Sequence, residues 1–231
     1  MFRKIIFWLI WLGFISYAFL FAPPDQPETF DLIKDMVLGK WEGINPLVIS
    51  LFNLMGVLPM IYSCLLFIDG RGQKAPAWLF ATASFGVGAF ALIPYLALRE
   101  KNPQFIGAKN TFLKLLDSRF TGIILTLTAL VLVSFGLTQG NWHNFVEQWQ
   151  TNRFIHVMSL DFCILCVLFP TLIKDDMARR NMKSSLLFWS IVIIPLFGSL
   201  FYLCVRKPLI EVDGDIVNSG EKLNESSAKV I

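Results

Sequence analysis

Charge is scarce in this chain. Asp, Glu, Lys and Arg make up 16% of its 231 residues, well below the roughly 25% of a soluble domain. With 55% hydrophobic residues and a mean hydropathy of +0.60, that excludes a soluble globular fold and a disordered chain. Lipid must cover most of the apolar surface. Histidine is scarcer still, with two copies, too few for a multi-haem cytochrome that pairs axial imidazoles. No zinc constellation is expected, because no third or fourth ligand lies close to a histidine in the required pattern. A net charge of +3 gives no footprint for nucleic acid. No hydroxyl–His–acid nucleophile set stands out. Gly70-Arg71-Gly72 follows no strand and reads as a turn rather than a phosphate loop. These absences lean away from an enzyme.

What is present is a series of apolar runs. Six are long enough to cross about 30 Å of hydrocarbon, which takes roughly 20 helical residues: 5–21, 46–68, 77–98, 120–137, 154–173 and 186–205. Backbone groups in lipid must pair within their own segment, and these runs lack the strict alternation of barrel strands. The expectation is an all-α polytopic membrane protein with about six transmembrane helices, one helical domain over 1–207 and a flexible polar tail over 208–231. The first run has a basic start, yet Leu20 and Pro23 disfavour a signal-peptide cleavage site, so it reads as a retained helix. Short amphipathic helices are expected at the bilayer surface over 29–41, 109–119 and 141–150, the last capped by Asn141. Their tryptophans suit the aromatic belt. Pro59, Pro170 and Pro195 should kink their helices. Gly86, Gly88 and Ala91, among other small residues, give the third run a face that another helix backbone can approach closely.

Orientation is contradictory at this level. Arg99, Lys101, Lys109, Lys114 and Arg119 fill the third connection; Lys174, Arg179, Arg180 and Lys183 fill the fifth. The positive-inside rule makes both cytoplasmic, or stromal in a plastid. Six crossings then put both termini outside, stranding Arg3 and Lys4 on the wrong side. The conflict disappears if 77–98 bends near Gly86–Gly88 and returns to its own side. Six full crossings are nonetheless the expectation.

Candidate chemistry concentrates in the fifth run. Asp161 is the only acid within an apolar stretch, eight residues in, roughly 12 Å deep at 1.5 Å per residue. A carboxylate there is costly unless paired or protonated, which makes it a functional candidate by default. Arg153 lies about 80° from it around the helix and His156 about 140°, so a partner is sought on other spans: Asn53, Tyr62, Ser63, Thr82, Ser84, Thr126 or Thr128. The readings of Asp161 are a hydrogen bond between helices, a proton or ion pathway, or contact with a bound partner. His156, the only histidine in a span, is either an interfacial hydrogen-bonder or a ligand for a single chlorophyll magnesium. Cys163 and Cys166 form a CxxC pair, but sit mid-span and read as inert thiols.

Three segments carry a resemblance: Pro46–Asn53, Asp69–Trp78 and Ser84–Glu100, the last running from Pro94 to Arg99-Glu100. They resemble a family of cyanobacterial and plastid integral membrane proteins of unknown function, and a broader bacterial family of small membrane proteins. Leu116–Gly122 and Arg153–Phe162 fit the cyanobacterial group as well. The resemblance implies a photosynthetic organism and a thylakoid or plasma membrane, and brings no residue roles. The leading expectation is therefore a protein that assists assembly or stability of a larger photosynthetic membrane complex, partnered by the bilayer and other membrane subunits. The alternative is a small proton-coupled carrier using Asp161, followed by a pigment-binding protein.

Overall fold

The computed structural model describes residues 2–105 and 107–209; the tail expected over 208–231 falls, from 210 onward, outside the described residues. Every regular element among them is helical. Helix α1 (Phe2–Leu20) is followed by the short α2 (Thr29–Val37) and the long α3 (Pro46–Asp69). Then come α4 (Ala77–Val87), α5 (Ala89–Leu98), α6 (Thr111–Asp117), α7 (Arg119–Gln139) and α8 (Trp142–Thr151). The last four are α9 (Arg153–Leu168), α10 (Pro170–Arg179), α11 (Ser185–Ile193) and α12 (Phe197–Val205). The local signals are those of helix starts. Pro46 opens α3 behind Asn45, whose side chain accepts from the Leu47 N–H, and Asn141, Asn152 and Ser184 cap α8, α9 and α11 in the same way. The amphipathic α2, α6 and α8 fall on the three segments expected at the surface.

Four helices are long and apolar enough to cross a membrane: Phe2–Leu20, Pro46–Asp69, Arg119–Gln139 and the combined Arg153–Arg179. The expected third and sixth crossings are corrected. Each is broken in the middle, at Gly88 (φ 49°) and at Leu196 (φ 62°), and each doubles back. The Gln73 side chain donates to the Glu100 carbonyl and accepts from the Glu100 N–H, both at 2.8 Å, so the residues before α4 and after α5 are neighbours. The rings of Phe80 and Tyr95, one on each arm, lie 5.7 Å apart. In the second hairpin the Lys207 N–H reaches Met182 Sδ at 3.4 Å, and a Cβ on Gly198 would come within 2.7 Å of Ile191 Cα. Arms of 9 to 11 residues rise about 14 to 16 Å, half the hydrocarbon thickness. The two ends of each hairpin lie together, and a single arm of this length is too short to cross the hydrocarbon. Hydropathy supplies enough apolar length for a crossing, but length does not say whether a chain continues or turns.

Four crossings resolve the orientation. Arg3 donates to the Arg99 carbonyl and Lys4 pairs with Glu100 at 3.7 Å, which places the start of α1 on the side of the third connection. Asp117 joins that connection to the fifth, through Lys109 at 3.0 Å and Arg180 at 2.6 Å. Among the described Lys and Arg, only Lys34, Lys40 and Arg153 lie at the opposite ends of the spans. The positive-inside rule makes the basic side cytoplasmic.

The two halves of the chain are related. Each runs span, amphipathic helix, span, re-entrant hairpin: α1 to α5, then α7 to α12 with α9 and α10 as one span. One constant offset takes Pro46 at the start of α3 to Arg153 at the start of α9, Gly88 at the first hairpin tip to Pro195 at the second, and Asp69, Tyr95 and Arg99 to Asp176, Tyr202 and Arg206. The chemistry repeats too. Tyr95 donates to Asp69 at 2.7 Å, and Tyr202 donates to Asp176 at 2.5 Å, both across 26 residues. The matched order and spacing are those of two tandem units that run in the same direction.

A buried ionic layer joins the units at the cytoplasmic side. Asp69 and Arg99 are each 1% exposed and meet through two hydrogen bonds, Nε to Oδ2 at 2.7 Å and NH2 to Oδ1 at 2.5 Å. Asp69 also accepts from Arg179 of the second unit, and Arg99 reaches Asp175 at 2.5 Å. Arg180 binds Asp176 at 2.7 Å and Asp117 at 2.6 Å. Burial alone would weaken the Arg99 charge, but the hydrogen bonds and charges of Asp69 and Asp175 outweigh it and raise its pKa. Burial likewise opposes the Asp117 charge, and Arg180 and Lys109 hold that carboxyl below its ordinary range.

Removing one partner of such a layer leaves uncompensated buried charge, at a cost of about 3–5 kcal/mol. Asp69→Ala should therefore lower the thermal midpoint of the detergent-purified protein sharply. Lys4→Ala, which breaks the exposed pair with Glu100, should cost no more than about 1 kcal/mol. Thermal unfolding by size exclusion after heating checks both, and equal midpoints for the two variants would contradict the assignment of the layer.

Candidate functional site

The site is built where the first hairpin tip meets α9. Helix α4 ends at Val87 and α5 begins at Ala89, so the turn leaves polar backbone at membrane depth, where it must be paired or covered. Asp161, 6% exposed, supplies the pairing: its Oδ1 accepts the Ala89 N–H at 2.7 Å. This caps the positive end of α5 with a carboxyl group. Gly88 is required twice over. Its φ is positive, and a Cβ there would overlap the Asp161 carboxyl. At the second tip the Phe197 N–H returns to the Pro195 carbonyl and the Gly198 N–H to the Ile194 carbonyl, both at 2.7 Å. Cys166 is buried and Cys163 is exposed, and both are free thiols.

Asp161 also forms the floor of a cavity of about 690 Å³. Phe52, Met55, Phe90, Phe154 and Met158 make apolar walls, Gly56 leaves one wall open, and Ser84–Gly88 of the hairpin tip completes the base. The mouth is set by Asp25, Thr29 and Arg153 at the non-cytoplasmic ends of the spans. Arg153 Nε donates to the Pro23 carbonyl at 2.9 Å, and Thr29 Oγ1 is buried with no hydrogen bond among the described residues. At the floor, Asp161 Oδ2 accepts no hydrogen bond from the described residues, Oδ1 being the atom that holds Ala89. The Gly88 N–H returns to the Ser84 carbonyl at 2.9 Å. The carbonyls that follow, at Phe85, Gly86 and Val87, form the negative end of the α4 dipole.

The sequence candidates separate into two groups. Asp161, Arg153, Gly86 and Gly88 line the cavity. His156 and Asn53 do not. The His156 Nδ1–H donates to the Trp149 carbonyl at 2.8 Å, and its Nε2 accepts from the Tyr17 hydroxyl at 2.9 Å. The ring stacks on Trp149 with centroids 4.4 Å apart. Both imidazole nitrogens are therefore engaged in tying α1 and α8 to α9. Asn53 donates to the Ile49 carbonyl of its own helix at 2.8 Å. Ala91 is buried, and Gly86 is exposed. The side-chain partner expected for Asp161 is corrected: none of Asn53, Tyr62, Ser63, Thr82, Ser84, Thr126 and Thr128 bonds to it, and the partner is a backbone N–H. Tyr62, for one, donates instead to the Leu165 carbonyl at 2.7 Å.

Among the described residues no three His, Cys, Asp or Glu gather as a metal site would require. The duplicated Asp, Tyr and Arg set escaped the reading of the sequence, although its signal is there as a matched spacing. The chain matches no protein-family model, no curated protein and no solved structure.

Gly88→Ala should displace the Asp161 carboxyl and free the Ala89 N–H, reducing folded yield severalfold. In Gly88→Ala combined with Asp161→Ala the clash is gone, so the double variant should lose less than the two single losses summed. Yields from fluorescence-detected size exclusion test this. Strict additivity would contradict the contact between tip and carboxyl.

Proposed function

We propose that this protein is a small membrane carrier that admits a lipophilic molecule into the cavity from the non-cytoplasmic side and holds its polar end at Asp161. The observation that carries the reading is a mid-membrane carboxyl that fixes a broken-helix tip with one oxygen and borders a large apolar cavity with its surroundings. Broken helices, a binding site near the midplane and repeated units are features that membrane carriers share. The ionic layer lies at the opposite ends of the spans from Arg153 at the cavity mouth. The proposal is one of binding and passage, with no chemical step. It departs from the first expectation, assistance to a larger complex, because the cavity with Asp161 on its lining offers a site for a small molecule. The exposed Trp142 and Val146 of α8 favour assembly as a second reading. A thylakoid or plasma membrane, and a photosynthetic partner, rest on the sequence resemblance alone.

Gly56 permits a test that leaves the fold intact. It lines the cavity, and a side chain built there meets nothing within 4 Å. Gly56→Phe should fill the cavity without loss of folded yield. Wild-type protein purified in mild detergent, extracted into organic solvent and analysed by mass spectrometry should release a small molecule that the Gly56→Phe protein lacks. Identical extracts, with a stoichiometric protein partner in both preparations, would overturn the carrier reading in favour of assembly.

A further inference from the structure

We infer that the molecule taken into the cavity is a lipophilic amine, bound as its ammonium with the N–H groups at the floor. The inference rests on the carrier reading and adds the chemical class of the ligand. Its basis is the polarity of the floor. Asp161 is buried to 6% exposure, and its second oxygen takes no hydrogen bond from the described residues. The adjoining backbone is the C-terminal end of α4, where the carbonyls of Phe85, Gly86 and Val87 follow the last helical bond. Those groups accept hydrogen bonds and carry negative charge or partial charge. Of the donors at the tip, the Ala89 N–H is held by Asp161 Oδ1 and the Gly88 N–H by the Ser84 carbonyl. An anion at the floor would meet like charge. An alcohol supplies one O–H, whereas a primary ammonium supplies three N–H donors and the compensating charge.

The walls agree with this assignment. Phe52, Phe90 and Phe154 are among the lining residues, together with Met55 and Met158. Aromatic faces attract a desolvated cation, and methionine adapts to an alkyl chain. The cavity's one cation, Arg153, stands at the mouth about 12 Å from the depth of Asp161, eight residues along α9. It is too far to neutralise the floor and is placed where an extended alkyl tail of about ten carbons ends.

Native mass spectrometry of the full chain in detergent tests the class directly, with decylamine, decanol and decanoate as probes at equal concentration. Wild-type protein should bind one decylammonium per chain, at least tenfold in preference to decanol or decanoate. Asp161→Asn should erase the preference while decanol binding stays the same, because the amide keeps the shape and loses the charge. Gly56→Phe should bind none of the three. Equal binding of decylamine and decanol by the wild type, or preference for decanoate, would overturn the ammonium assignment while leaving the cavity a lipophilic site. Failure of all three probes to bind the wild type would overturn the assignment together with the carrier reading.

Discussion

Backbone in hydrocarbon must find its hydrogen bonds within the protein, and this fold breaks two helices where that rule bites hardest. The break at Gly88 exposes the first N–H of α5 at mid-depth, and Asp161 on α9 takes it. At the second break the N–H groups of Phe197 and Gly198 return to the Pro195 and Ile194 carbonyls. The need for glycine at position 88 and the cavity over the first tip both depend on the Asp161 bond. A carboxyl group in a span is thereby explained locally, as the cap of a half-helix, before any functional role is considered. Asp161 also lines the cavity, which gives the cap a second use.

The cytoplasmic boundary is organised by the duplicated Asp, Tyr and Arg set. In both units the tyrosine of the returning hairpin arm donates to the aspartate that ends the long span. The arginine that follows differs between units. Arg99 binds its own aspartate, Asp69, whereas Arg206 bonds the carbonyls of Cys64 and Leu116 and Arg180 takes its place on Asp176. Bonds from Arg179 to Asp69 and from Arg99 to Asp175 then stitch the units together. The two similar sets, joined in this way, make one continuous layer. The layer holds both hairpins shut on the side opposite the cavity mouth.

Much of this was legible in the sequence. The all-helical membrane fold followed from apolar run length, the three surface helices from their periodicity, and the common side of the two basic connections from the Lys and Arg count. Asp161 was singled out because it is the lone acid in an apolar run, and the structure places it at the floor of the cavity. The first hairpin was legible as an alternative, from Arg3 and Lys4 conflicting with six crossings and from the glycines at 86 and 88, but six full crossings were the expectation; the second hairpin was not read. A stretch of about 20 apolar residues satisfies a crossing and a doubled half-crossing equally, since hydropathy reports burial in lipid and not direction. The ionic layer was missed for a related reason. Charges at span ends look like solvated flanks until the chain returns and stacks them, so Asp69, Arg99, Asp176 and Arg180 gave no sign of burial. The equal spacing from Asp69 to Tyr95 to Arg99 and from Asp176 to Tyr202 to Arg206 was the one mark of their partnership.

The central claim is that both hairpins enter and leave on a single side. Single cysteines at Lys74 and Lys101 flank the first hairpin, and at Lys183 and Lys207 the second, in a background with the four native cysteines replaced by serine or alanine. Labelling with a membrane-impermeant maleimide in sealed vesicles of known sidedness decides the matter. The account predicts that all four positions react from the cytoplasmic face and that none reacts from the other. Reaction of Lys74→Cys and Lys101→Cys from opposite faces, or of Lys183→Cys and Lys207→Cys from opposite faces, would show a full crossing and contradict it.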